Sequence, residues 1–329
     1  MSTNTFNSGA IQRPYQQVDV FTATPYRGNP LAVVLDGRGL DDEAMAAFAR
    51  WTNLSETTFL LQPTAAGAAR GADYQVRIFT TSYEMPFAGH PTLGSCHAWL
   101  DHGGVPKTAG IVVQECQVGL VTIRHAARNA FAAPALRRSD AAPELVQALT
   151  DALGLPRSAV LASQHLNNGP SHFGLLLDSQ QRVLDLAPDF SQLRAAMQGA
   201  AITGVGVASV HGGEAASVGL IVRSNREARA FTGISSSASA AVNSQEDPDV
   251  EVRFFFDHGH GVGEDPVTGS FNASLAQWLI AEGRAPRSYM AAQGTCIGVQ
   301  GRVHIHQDAS GQVWVGGDAV TCISGTVYL

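Results

Sequence analysis

Two short segments of the chain repeat the same order of chemically useful residues. HPTLGS at residues 90–95 and DPVTGS at residues 265–270 share a proline, a glycine and a serine at matching positions. Proline is favoured at the first position of a helix, so the pattern predicts that His90 and Asp265 are N-cap residues. The free N–H groups and the positive dipole end of each helix would then bind a carboxylate or a developing oxyanion.

The small residues of the two segments suit a ligand site. We expect Gly94 and Gly269 to keep the first helical turn open to a ligand, and Ser95 and Ser270 to add hydroxyl groups. A histidine at one turn and a carboxylate at the other would form an acid/base pair if the turns faced each other. Ordinary helix capping explains either turn alone, whereas the long-range repeat favours two similar domains with two similar sites.

Glu56 is a third group that could do chemistry. It lies between a predicted helix over residues 41–51 and an apolar strand over residues 57–61. A carboxylate at the end of a buried strand is suited to proton transfer. The alternative is a solvated loop glutamate, which is the ordinary position of this residue type.

The elements that must position these groups are many predicted strands and fewer predicted helices, without a regular alternation of the two. The two segments follow predicted strands over residues 74–80 and 250–256, and each precedes a predicted helix. Further strands are predicted over residues 216–223, 296–306 and 320–328. The Ala/Pro/Arg-rich stretch over residues 126–142 predicts a domain boundary. We therefore expect domains at 15–130 and 131–329, with the last strand able to pack on the first domain.

Composition excludes several classes of protein. The chain has 329 residues, of which 45% are hydrophobic and 15% charged, so a sizeable core is expected and disorder is not. The net charge of -7 and the lack of a basic patch argue against nucleic acid as a partner. We find neither a signal-peptide pattern nor a membrane-spanning apolar run, and expect a soluble, cytoplasmic protein with reduced, structural cysteines.

Four segments resemble one known family. RGNPLAVVLD (27–36), RWTNLSETTF (50–59), MPFAGHPTLGS (85–95) and GEDPVTGS (263–270) are similar to the phenazine-biosynthesis PhzF-like isomerases. The resemblance extends from about residue 15 to the end of the chain. It implies an α+β fold of the diaminopimelate epimerase type, with two pseudo-symmetric domains. Each domain would be a curved mixed sheet around a central helix, and the active site would lie in the cleft between them.

The resemblance also implies an activity and roles for individual residues. The family's best-known reaction isomerises trans-2,3-dihydro-3-hydroxyanthranilate without a cofactor, moving a proton from one ring carbon to another. We therefore expect a cofactor-independent isomerase that binds a small carboxylate substrate, holds no metal and forms a homodimer. The matching positions are the catalytic Glu56, His90, Asp265 and Ser270 and the substrate-binding Ser55, Gly89 and Gly269.

The chain departs from related patterns in two respects. Racemases and epimerases of this fold carry a cysteine at each helix start, whereas here Cys96 lies inside a predicted helix and has no counterpart in the second segment. A two-thiol mechanism is therefore disfavoured. Before the second segment, Asp257, His258 and His260 add titratable groups that the family pattern lacks.

Three other functions remain open. A metal site is one, because His258 and His260, and also His304 and His306, form H-x-H pairs, but a glycine-rich loop supports zinc poorly. A dinucleotide site at GHGVG (259–263) is another, although its spacing is GxGxG rather than GxGxxG. The third is a catalytically inert protein of the same fold that binds a small carboxylate.

Overall fold

The computed structural model describes residues 10–211, 247–257 and 261–329. The chain forms two compact units, one of residues up to Ala132 together with Gly316–Leu329, the other Ala133–Val315. The predicted strand over residues 216–223 and the residues His258 and His260 lie outside the described part of the chain. No helix in the described ranges is both long and apolar enough to cross a membrane.

The first unit is a mixed sheet with three helices. Its pairing order is β18-β1-β2-β3-β4-β6-β7-β8, with β5 added to β4, parallel at β2/β3 and β4/β6 and antiparallel elsewhere. The strands are β1 Gln12–Val20, β2 Asn29–Val34, β3 Thr57–Leu61, β4 Tyr74–Phe79, β5 Glu84–Met85, β6 Ile111–Cys116, β7 Gly119–His125, β8 Asn129–Ala132 and β18 Ala319–Tyr328. The helices are α1 Asp42–Thr52, α2 Ala65–Ala69 and α3 Gly89–Asp101.

Helix α3 is the central element of this unit, in contact with β1, β2, β3, β6, β8 and β18. A Cβ atom on Gly94 would lie 2.6 Å from Leu31 Cδ2 and 2.8 Å from Val20 Cγ2, so the glycine permits close packing of α3 on the sheet. Ser95 is fully buried and its hydroxyl donates to Thr58 Oγ1 at 2.9 Å. The expectation that Gly94 and Ser95 face a ligand is therefore wrong, because both serve the packing of α3.

The second unit has the same plan. Its pairing order is β9-β10-β11-β12-β13-β15-β16, with β14 added to β13, parallel at β11/β12 and β13/β15. The strands are β9 Arg137–Ser139, β10 Val160–Asn167, β11 Ser171–Leu177, β12 Gly204–Val210, β13 Val250–Asp257, β14 Val262–Glu264, β15 Ser288–Gln293 and β16 Gly301–Gln307, and the division between the units falls within β17 Val313–Gly317. The helices are α4 Pro143–Ala152, α5 Gln180–Leu184, α6 Phe190–Gly199 and α7 Gly269–Ala281.

The predicted α+β class, with a mixed sheet and a central helix in each repeat, is confirmed. Several strands were not predicted, of which β15 is the longest, and one predicted strand was misplaced. The chain forms β15 at Ser288–Gln293, where no strand was predicted, and the strand predicted over residues 296–306 begins only at Gly301. A 3-10 turn at Thr295–Ile297, flanked by Gly294 and Gly298 in the left-handed region, separates the two strands.

An arginine–glutamate pair marks the repeat. Arg77 on β4 binds Glu84 on β5 through two bonds of 2.7 and 2.6 Å, and Arg253 on β13 binds Glu264 on β14 at 3.1 and 2.7 Å. Helix α3 begins five residues after Glu84, and helix α7 begins five residues after Glu264. Gly89 is therefore the structural counterpart of Gly269. His90 corresponds to Ser270, not to Asp265.

The predicted N-cap roles of His90 and Asp265 are consequently wrong. The N-cap of α3 is Ala88, which places His90 inside the first turn. The N-cap of α7 is Thr268. Asp265 lies in the turn before it, where its N–H donates to the Phe254 carbonyl at 2.9 Å and keeps the chain beside β13. Pro91 is the third residue of α3, where the first turn still tolerates proline, whereas Pro266 precedes the N-cap of α7, so proline does not locate the cap by itself.

Candidate active site

Glu56 and His90 meet at the start of α3. Helix α1 ends at Thr52, and the left-handed conformation of its C-cap Asn53 (φ 55°) turns the chain towards β3 and places Glu56 just before that strand. The Glu56 and His90 side chains are 16% and 6% exposed, and Glu56 Oε2 lies 3.6 Å from His90 Nδ1. The predicted acid/base residues of the first unit are thus adjacent, although they are far apart in sequence.

Asn29 completes this group and was not singled out from the sequence. It is buried at the first position of β2, and its Nδ2 lies 3.4 Å from His90 Nδ1. The same ring nitrogen therefore faces an amide donor and a carboxylate. A neutral ring accepts from Asn29, whereas a protonated ring presents its N–H to Glu56. Asn29 and Glu56 thus offer this ring nitrogen a donor and an acceptor.

The start of α3 has features that suit the binding of an acidic ligand. Its N-cap residue, Ala88, makes no side-chain hydrogen bond to the first turn, which begins with Gly89. Ser55 has a buried hydroxyl oxygen that no described residue hydrogen-bonds. N–H groups at a helix start that no N-cap side chain satisfies, and a nearby hydroxyl, are donors that suit a carboxylate or an oxyanion.

Tyr83 borders the same group and was missed in the sequence. It is half exposed in the loop between β4 and β5. Burial, and secondly the negative charge of Glu56, raise the pKa of the Tyr83 phenol. The phenol therefore stays protonated at neutral pH and is a hydroxyl donor near the carboxylate.

In the second unit, a buried amide holds the turn that carries Asp265. Gln293 on β15 donates to the Asp265 carbonyl at 3.1 Å and to Thr268 Oγ1 at 3.0 Å, and its Oε1 accepts from the Thr268 N–H at 3.1 Å. Asn272 donates to the same Oε1 at 2.8 Å. The Thr268 hydroxyl in turn donates to Asp265 Oδ2. This network sets the position of the Asp265 carboxylate.

Ser270 is the second residue of α7, after Gly269. Its hydroxyl oxygen lies 3.1 Å from Nε2 of His172 on β11, and its carbonyl accepts from Asn168 Nδ2 at 2.8 Å. Burial lowers the pKa of His172 to about 3, so its ring is neutral at physiological pH. The N-cap of α7 also lacks a side-chain hydrogen bond to the first turn. The starts of α7 and α3 thus share the absence of a side-chain cap.

Each unit thus brings together its own share of the predicted residues. The first unit groups Ser55, Glu56, Gly89 and His90, and the second groups Asp265, Gly269 and Ser270. Their catalytic and substrate-binding roles stay predictions. Sequence reasoning missed Asn29, His172 and Gln293 because each comes from a distant strand, and only the RGNP motif offered a signal for Asn29.

The structure also shows the positions of the residues that could have served a metal site, a dinucleotide site or a thiol mechanism. Asp257 accepts from Arg194 Nε on α6 at 3.1 Å. His306 on β16 is exposed and hydrogen-bonds Ser288 at 2.8 Å, and within the described ranges no group of three or more candidate ligands could hold a metal.

The dinucleotide site and the thiol mechanism do not fit the structure either. Residues 262–264 form β14, antiparallel to β13, so the strand-to-helix turn of a dinucleotide site is absent there. Burial raises the pKa of the Cys96 thiol to about 12, so it is not a thiolate at neutral pH.

Comparison with known proteins places this fold and these motifs in one family. The family model described as "Phenazine biosynthesis-like protein" matches residues 18–325, and the chain belongs to this family. The predicted membership is thereby confirmed, and with it the assignment of the chain to a family of isomerases.

Individual relatives are similar to this chain over different fractions of its length. "Antisense-enhancing sequence 1" of Schizosaccharomyces pombe is 30% identical over 97% of this chain and 99% of that protein. The trans-2,3-dihydro-3-hydroxyanthranilate isomerase of Pseudomonas aeruginosa is 48% identical, but over only 26% of this chain and 28% of that enzyme. The crystal structure of a Bacillus anthracis phenazine biosynthesis protein of the PhzF family has a TM-score of 0.75 at 20% identity, covering 97% of this chain and 100% of that one.

Proposed function

We propose that the protein is a cofactor-independent isomerase of a small cyclic or unsaturated amino or hydroxy acid. The observation that carries this proposal is the group of Asn29, Glu56 and His90 beside the uncapped start of α3. It combines a carboxylate, a histidine and a first helical turn that the N-cap side chain leaves uncapped, which suits proton transfer at a carbon next to an acid group. The partial similarity to an isomerase of trans-2,3-dihydro-3-hydroxyanthranilate supports a substrate of that kind.

In the proposed reaction, Glu56 removes a proton from a carbon that a conjugated carbonyl, carboxylate or diene makes acidic. The C–H electrons move into the conjugated system, and the N–H groups at the helix start stabilise the negative charge. Glu56, with His90 and Asp265 as relays, returns the proton to another carbon. No electrons are lost, so substrate and product are isomers.

The test is proton exchange in D₂O followed by NMR. The compounds are trans-2,3-dihydro-3-hydroxyanthranilate and a panel of cyclic and unsaturated amino and hydroxy acids. A positioned general base typically contributes about 10²–10⁴-fold, so Glu56→Gln should slow deuterium incorporation by at least about 100-fold. The matched control is Glu43→Gln, which changes an exposed glutamate paired with Arg50 on α1 and should leave the rate unchanged.

Each outcome is informative. Deuterium entering one compound with the wild-type protein but not with Glu56→Gln supports the isomerase and identifies its substrate class. Near-wild-type exchange in Glu56→Gln would remove Glu56 from the mechanism. A protein that binds small carboxylates but exchanges no carbon-bound proton in any of them would instead be the inert binder.

The proposal includes the assembly and location that the family resemblance implies. We propose a homodimer in the cytoplasm with no metal or cofactor as a partner. Size-exclusion chromatography with light scattering measures the mass of the particle directly, for comparison with twice the 34.6 kDa of one chain.

A further inference from the structure

His172 is a buried histidine that touches a residue of the candidate site. It lies on β11, is 2% exposed, and places Nε2 at 3.1 Å from the Ser270 hydroxyl oxygen. Its ring meets Phe254 edge-on at 5.0 Å and Phe271 at 6.1 Å between ring centroids. The only polar contact of the ring among the described residues is therefore Ser270.

Two glycines make room for this aromatic surround. A Cβ atom on Gly204 would lie 2.1 Å from the Phe254 ring, and one on Gly206 would lie 1.9 Å from the Phe271 ring. Both glycines lie on β12, which runs beside β11. Because these two positions of β12 lack side chains, both phenylalanine rings can pack against His172 and exclude water from it.

The backbone of Ser270 is fixed independently of the histidine. Asn168 Nδ2 donates to the Ser270 carbonyl at 2.8 Å, and the Ser274 hydroxyl donates to the same oxygen at 2.9 Å. What His172 can set is therefore the direction of the Ser270 hydroxyl.

The ring tautomer follows from which nitrogen has a partner. Nδ1 is buried and hydrogen-bonds no described residue. A neutral imidazole carries one N–H and one lone pair, and a buried N–H without an acceptor is rare and costly. The proton is therefore best placed on Nε2, where the Ser270 oxygen can accept it.

We propose that His172 is a positioning residue whose Nε2–H donates to Ser270 Oγ and thereby turns the serine's own proton outwards. A serine hydroxyl that accepts from one neighbour has its single proton left for another acceptor. Ser270 is then a dedicated hydrogen-bond donor to the acid group or the developing negative charge of the substrate. His172 neither takes a proton from Ser270 nor makes it a nucleophile. The inference deepens the proposed function, because it assumes that Ser270 contacts substrate.

The tautomer can be tested without substrate. Long-range ¹H–¹⁵N correlation spectra of the labelled protein, compared with His172→Phe and His172→Gln to assign the signals, report which ring nitrogen carries the proton. We expect a neutral ring protonated at Nε2 that does not titrate between pH 5 and pH 8. A ring protonated at Nδ1, or one that titrates in this range, would overturn the proposal.

Kinetics test the consequence for Ser270. His172→Phe keeps an aromatic ring but removes the donor, whereas His172→Gln keeps an N–H near the position of Nε2. We expect His172→Phe and Ser270→Ala each to raise KM in the exchange assay by about 10-fold or more, as expected for a lost bond to a charged group. The double variant should be no worse than Ser270→Ala, and His172→Gln should stay within about 3-fold of the wild type.

The outcomes separate this inference from the proposed function. Additive losses in the double variant, or His172→Gln as impaired as His172→Phe while both remain folded by circular dichroism, would show that His172 does not act through Ser270. If the wild type exchanges no compound, the proposed function fails, and the NMR tautomer still decides the state of His172.

Discussion

At the scale of single residues, the candidate site depends on histidines whose partners determine their protonation. His90 Nδ1 lies between the amide of Asn29 at 3.4 Å and the carboxylate of Glu56 at 3.6 Å. His172 has one polar partner and a pKa near 3. His90 therefore has both an amide and a carboxylate as neighbours, whereas His172 is a buried group that stays neutral at physiological pH. Residue type alone does not distinguish these two roles, because burial and neighbours create the difference.

Asn29→Leu tests the role of the amide. It removes a buried donor to His90, and a hydrogen bond of this kind contributes about 0.5–1.5 kcal/mol, so we expect kcat/KM for deuterium exchange to fall by up to about 10-fold. The matched control is Asn129→Leu, which removes an exposed asparagine–histidine contact with His125 at 2.9 Å. A fall in kcat/KM as large in the control as in Asn29→Leu would show that the effect is not specific to the site.

At the scale of elements, the two helix starts are positioned by the strands before them. The paired Arg77–Glu84 and Arg253–Glu264 join the two strands that lead to each helix, and the helix begins the same distance after each glutamate. Close packing then fixes the position of each helix. Gly94 permits it for α3, and the contact between Gly206 and Phe271 provides it for α7. The glycines therefore affect the site indirectly, because they determine where the helix backbones lie.

Gly206→Ala should disturb the start of α7. The new methyl group would lie 1.9 Å from the fully buried Phe271 ring, and overpacking of this kind costs about 1–3 kcal/mol of unfolding free energy. The same substitution at Gly199, at the end of α6, meets no atom within 4 Å and should be neutral or slightly stabilising. Urea unfolding of both variants measures the difference, and equal stabilities would contradict the packing argument.

At the scale of the whole molecule, the chain repeats one plan of pairing. In each unit a hairpin is followed by a parallel pair, an antiparallel pair, a short added strand and the central helix. The chemistry is not repeated, because His90 corresponds to Ser270 and Glu56 belongs to the first unit only. The buried His172 of the second unit links the stability of the protein to pH.

His172 should make the protein less stable in mild acid. Its pKa is about 3 when folded against a usual value of 6.5, so below pH 6.5 the unfolded chain binds the proton that the folded protein excludes. The free energy of unfolding therefore falls with falling pH by about 1.4 kcal/mol per pH unit between these values. Between pH 6.5 and pH 5.0 this contribution amounts to about 2 kcal/mol.

The measurement compares the wild type with His172→Phe by urea unfolding at pH 7.5 and pH 5.0. The variant lacks the titrating ring, so its stability should fall less on acidification. All other titratable groups are shared by the two proteins. An equal loss of stability in both would show that the ring of His172 is not the group responsible.

Much of the architecture could be predicted from the sequence. The apolar strands, the two helices after the proline-containing turns and the family followed from local patterns and from four motifs. The chain divides into two units after Ala132, and its last strand pairs with β1. These features depend on hydrophobic periodicity and turn chemistry, which act over a few residues.

The sequence by itself determined which residue types lie near each helix start, because the motifs and the turn signals are local patterns of neighbouring residues. Only the tertiary structure decided where the helices begin, that Gly94 and Ser95 serve packing, and which groups surround His90 and Ser270. Those outcomes depend on Asn29, His172 and Gln293, which reach the site from distant strands. Strand pairing and burial bring such residues together, and no short-range pattern records the contacts.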